Sequence, residues 1–172
     1  MNNLFKESAG EIALRLIGIV EDVFDDILPL ALTPEGSSDS GIYFCCHRTI
    51  KQIERGSEPL WGLALGATDS YKHRVYETSS MNGASQLGQH PEHISLLTSR
   101  PASPTYITSA IRVRGNGILA CSGFQGDYCE LFLLMIAEKC DLLDQDGINA
   151  IINISQNQVA RDHFDTKWSA IR

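Results

Sequence analysis

The stretch IRVRGNGILACSGFQGDYCEL, residues 111–131, sets two glycine clusters around one short apolar run. The Gly-Asn-Gly at 115–117 suits positive φ, so the chain reverses there and ILACSGF returns as the antiparallel partner of TYITSAIRV. In that first run Tyr106, Ala110 or Ile111, and Val113 alternate with polar residues, as a half-buried strand requires. The second cluster, 123–126, separates the hairpin from a helix expected from Asp127 to about Leu143, opened by a capping box of Asp127 with Glu130. Leu131 to Ala137 is apolar on nearly every side, so this helix must lie deep against the sheet.

Two other capping boxes stand out, Ser8 with Glu11 and Ser155 with Gln158. The first opens an amphipathic helix whose apolar face is Ile12, Leu16, Ile19, Val20, Val23 and Ile27, ending near Pro29. GIYFCCHRTI and PLWGLALG, too short between breakers for helices, read as two strands of a hairpin. Thr68 or Asp69 caps a helix with Tyr71, Val75 and Thr78 or Ser79 inward, fraying near Asn82-Gly83. Residues 88–104 form a connector interrupted by Pro91, Pro101 and Pro104. Residues 144–172 make one or two short helices, with Ala160, Phe164 and Trp168 as a docking stripe. The order α, β, β, α, β, β, α plus a helical tail implies an α+β layered domain with an antiparallel sheet.

At 172 residues the chain makes one domain, with a core of about 8–143 and a tail at 144–172. A net charge of −7 without a basic stripe argues against nucleic acid. The first 26 residues lack the pattern of a secretion signal, and no apolar run is long enough to span a membrane, so the chain reads as cytoplasmic. Five cysteines without CxxC spacing read as reduced, buried thiols.

Chemistry is less legible. His90-Pro91-Glu92-His93 spaces its histidines by three across a proline, not by the four that share a helix face, and reads as a solvated loop; no metal site is assigned. Cys45 and His47, two apart in a strand, point to one side and Cys46 to the other. That pair would suit a metal or haem iron, while core packing of a cysteine is the simpler reading. There is no GxSxG, P-loop or GxGxxG, so no catalytic residue is assigned. The SGFQG corner feeding a helix N-terminus would offer backbone N–H groups to an anion, although Asp127 competes for them. Arg112 and Arg114, projecting to the same side, would offset that charge.

The run from Ile111 to Leu131, together with GLALGATDSYKHRVYETSS, resembles the GlcG/HbpS-like family and its heme-degrading-domain relatives over about residues 41–143. The matching positions in the second segment are Gly66, Thr68, Asp69, Arg74, Ser79 and Ser80. The resemblance implies a profilin-like, three-layer α/β/α fold with a mainly antiparallel five-stranded sheet, and homo-oligomers. It also implies a small acidic ligand, with haem as the named candidate. With the polar residues that converge on the hairpin, it points to His47, His73, Arg74, Arg112, Ser122 and Gly123 as ligand-binding. The alternative is a non-catalytic homo-oligomeric assembly or adaptor protein using a sheet edge and the tail helix.

Overall fold

A computed structural model describes residues 8–32, 40–48, 59–99, 107–115 and 117–170. Helix α1 (Ala9–Ala31) opens on the expected capping box: Ser8 Oγ accepts from the Glu11 N–H, and Glu11 Oε2 accepts from the Ser8 N–H at 2.8 Å. Ile12, Leu16, Val20, Val23 and Ile27 along one face are wholly buried. The helix runs two residues past Pro29, which in the last turn removes only one intrahelical bond.

Strands β1 (Ile42–Arg48) and β2 (Pro59–Leu65) pair antiparallel, as do β3 (Thr108–Val113) and β4 (Gly117–Ser122), and β1 joins β4 to give the order β2-β1-β4-β3. Among the described residues the sheet has four strands, one fewer than expected. Outboard of β3 there is an isolated bridge, Ser95 to Ile111, with the Arg112 N–H donating to Ile94 O at 2.9 Å. A turn at Pro91-Glu92 before it and a 3₁₀ turn (Leu96–Ser99) after it leave no length for a strand.

Strand alternation divides the interior. Ile42, Phe44 and Cys46 face a large cluster with α1 and α3 (Gly126–Lys139), whereas Cys45, Ala110, Ile118 and Ala120 face α2 (Ser70–Gln89). The three layers are therefore α2, the sheet, and α1 with α3. Asp69 caps α2, accepting from the Tyr71 and Lys72 N–H groups at 2.9 and 2.8 Å.

The inward face of α2 differs from the one expected. It is Tyr76, Ser80, Gly83, Ala84 and Leu87, while Tyr71 is exposed. The helix also continues through Asn82-Gly83, because Gly83 is a contact point: a Cβ there would sit 2.9 Å from Thr108 Cγ2. Small residues bring this helix directly onto the sheet, and that packing outweighs their weak helix propensity.

Helix α3 is as deep as expected, with Leu131 to Ala137 all buried. Its capping box is not formed; Gln125 is the N-cap, without a side-chain bond, and Glu130 is turned inward. Ser155 likewise ends α4 (Gln145–Ser155), and Asn157 caps α5 (Gln158–Ser169) by accepting from the Ala160 N–H at 3.0 Å. Ile148, Ile151, Ile152, Ala160 and Phe164 belong to the main core, so residues 144–170 pack as part of the domain.

Candidate functional site

The expected ligand residues lie on the α2 side of the sheet, and three of the six, His47, Ser122 and Gly123, are buried. Cys45 and His47 do share a face: Cys45 Sγ lies 3.2 Å from both His47 Nε2 and Ser80 Oγ. All three residues are completely buried. Burial pushes the Cys45 thiol up to about 12, with the Ser80 hydrogen bond opposing only part of the rise. A neutral thiol behind a helix is a packed polar contact and not a nucleophile.

His73 stands one strand-end away, edge-on to Tyr43 at 5.8 Å, and Arg74 is exposed beside it. Ser122 pairs with Tyr43 in the sheet, whereas His47 pairs with Ile118, four residues and about 13 Å further along. Ser122 Oγ donates to Ile107 O at 2.8 Å and bonds Thr108 Oγ1 at 2.9 Å. Gly123 has φ +131°, and a Cβ there would lie 2.5 Å from Gly41 O, so the residue serves the turn. Arg112 reaches the C-terminus of α2, where it donates to Leu87 O at 2.7 Å, His90 O at 3.1 Å and His93 O at 3.1 Å. A guanidinium there adds a charged donor to carbonyls at the negative end of the helix. Arg114 instead pairs with Asp144. Among the described residues, His47, Ser122 and Arg112 thus make separate contacts along the face of the sheet that α2 covers.

Sequence reasoning missed a second polar cluster. The Glu130 carboxyl is fully buried, and Ser95 Oγ and Ser155 Oγ approach its oxygens at 2.5 and 2.6 Å, with Asn157 Nδ2 at 3.2 Å. Desolvation pushes its pKa up to about 7, against the lowering effect of these three donors. Glu130 thus ties α3 to the α4–α5 junction and to the segment beside β3. Its neighbour Asp127 is also raised by burial.

Among the described residues, an open concavity lies on the other side of the sheet. A groove of about 700 Å³ runs between the end of α1 (Pro29, Leu30), the face of α3 (Tyr128, Leu131) and α5. From α5 come apolar Val159 and a polar rim of Asp162, His163, Thr166 and Lys167. Burial, and then the nearby Lys167 charge, lower the His163 pKa, so the imidazole is neutral near pH 7. Lys167 pairs with Glu138 and lies 6.0 Å over the Phe164 ring. The signal for this site was the docking stripe of α5: Ala160 and Phe164 are buried under it, and that turns Val159, His163 and Lys167 toward α1.

Comparison of the chain with protein-family descriptions, with curated proteins and with solved structures returned no match.

Proposed function

We propose that this chain is a binding domain for a small amphipathic acid, held in the groove between α1, α3 and α5. The observation that carries the reading is the lining: an apolar floor of Leu131, Val159 and Leu30 beside the neutral His163 imidazole and the Lys167 ammonium, with the Asp162 carboxylate, which accepts from Gln158 Nε2, and Thr166 on the same rim. Ligand sites of this size combine mostly apolar walls with a few placed polar groups. The apolar body of the ligand lies on the floor, and its carboxylate exchanges with Glu138 as the partner of Lys167. Haem, the acidic cofactor that the GlcG/HbpS-like resemblance implies, has this character, and His163 would then be the iron ligand in place of His47.

Haemin titration tests the reading. The wild type should give a saturable Soret shift that His163→Ala removes and Lys167→Ala weakens by about two- to fivefold, the size of one exposed ion pair. His47→Gln should leave it unchanged. Retention of the full shift in His163→Ala would rule out this placement of haem.

A second reading, a homo-oligomeric assembly or adaptor without catalysis, is favoured by β2. This strand is a sheet edge, PLWGLAL, with no charged residue to discourage pairing with another strand. Sedimentation equilibrium decides it: a mass that stays that of one chain at every concentration removes self-assembly.

A further inference from the structure

We propose that the turn following α2 is a binding site for a divalent transition metal ion, with His90, Glu92 and His93 as its protein ligands. The histidines are three apart with a proline between them, which a helix interior would not accommodate. Here the helix has ended. His90 is the C-cap of α2, and the His93 N–H donates to His90 O at 3.0 Å, closing a turn over Pro91-Glu92. That turn stacks the two imidazoles with centroids 5.1 Å apart and planes within 20°. Glu92 Oε1 reaches both, at 3.3 Å from His90 Nδ1 and 3.6 Å from His93 Nε2, and all three donor atoms lie within 4.8 Å of one another.

These separations suit an ion. Bonds of 2.0–2.1 Å in tetrahedral geometry place neighbouring ligand atoms about 3.3–3.5 Å apart. The two Glu–His edges already have about that length, and the third, within 4.8 Å, closes when the stacked imidazoles turn their nitrogens toward a common point. The backbone under the site is fixed before any ion arrives, since Arg112 holds the carbonyls of Leu87, His90 and His93 together and β3 holds Ile94. A fixed backbone lowers the entropy lost when three side chains converge.

Two nitrogens and one carboxylate oxygen favour zinc, nickel or copper over magnesium or calcium. The side chains of His90, Glu92 and His93 are 54%, 62% and 31% exposed, so an ion enters from solvent and keeps a fourth position for water or an external ligand. The Arg112 charge opposes the ion but is spread into three carbonyls beneath the turn. Two imidazoles sharing one carboxylate as a hydrogen-bond acceptor would look the same without metal, and the titration separates the two.

Zinc is titrated into chelator-treated full-length protein at pH 7.5 by competition with a chromogenic chelator. The expected result is one equivalent bound with Kd on the order of micromolar. Affinity should fall more than about tenfold in each of His90→Ala and His93→Ala, with unchanged far-ultraviolet circular dichroism. Cobalt in place of zinc should give visible d–d bands without a thiolate charge-transfer band. Binding weaker than about 0.1 mM, equal affinity in the His90→Ala/His93→Ala double variant, or a thiolate band would each overturn the proposal.

Discussion

Replacing Glu130 with glutamine should reverse part of the pH dependence of this domain's stability. The carboxyl is completely enclosed, and desolvation raises its pKa from 4.5 to about 7. The folded state therefore holds the proton more tightly than the unfolded chain. Between pH 4.5 and 7 the unfolded state releases it first, so stability falls as pH rises, and the loss is complete above 7. At about 1.4 kcal/mol per tenfold change, the rise corresponds to about 3 kcal/mol, of which about 2–3 kcal/mol falls between pH 5 and 8. Glutamine keeps the shape and is always neutral. Its oxygen can accept from Ser155 and Asn157 and its amide can donate to Ser95, whose hydroxyl rotates to suit. Urea unfolding at pH 5 and pH 8 on both proteins isolates this group, since every other titrating residue is shared. The variant should gain on the wild type by about 2–3 kcal/mol between the two pH values. A difference that stays constant with pH would mean that the three donors keep Glu130 ionised throughout, and the reasoning would fail.

Other consequences follow from packing. All five cysteines are free and buried, so a thiol reagent at pH 8 should modify none in the native protein and all five in guanidinium; fast native reaction of Cys45 would contradict its burial. A chain ending at Leu143 loses Ile148, Ile151, Ile152 and Phe164 from the core. At roughly 1.5–3 kcal/mol per buried side chain this removes on the order of 6–12 kcal/mol, comparable to the whole stability of a domain. It should not fold, and a sharp thermal transition from that fragment would refute the integral role of the tail. Gly123→Ala places a Cβ against Gly41 O and Ile42 at φ +131° and should lower stability by about 2–4 kcal/mol in chemical denaturation, with a change under about 0.5 kcal/mol counting against the turn geometry.

Much of the layered architecture was legible because it rests on local chemistry. The glycines at 115–117 and 123–126, the Ser8–Glu11 and Asp69 caps and the alternation in β1 each act within a few residues. The errors arose where distant contacts override local preference. Asp127 and Glu130 have the spacing of a capping box, but Ser95, Ser155 and Asn157 claim the Glu130 carboxyl from 35, 25 and 27 residues away. Gly83 reads as a helix breaker until Thr108 is seen pressed against it. The buried surroundings of Cys45 and His47 were hidden for a related reason. Face alternation put Cys45 and His47 together correctly, yet nothing local showed that Ser80 on α2 would close over them. The groove is assembled from α1, α3 and α5, so no single stretch of sequence carries it.

A ligand of this domain sits in the groove between α1, α3 and α5 on the reading proposed above. Amide chemical-shift mapping with 1-anilinonaphthalene-8-sulfonate, an amphipathic acid, tests it most directly. Saturable shifts should cluster at Leu30, Tyr128, Leu131, Val159, His163 and Lys167. Shifts confined to Tyr43, His73 and Ser122 on the α2 side, or none at saturating probe, would contradict it.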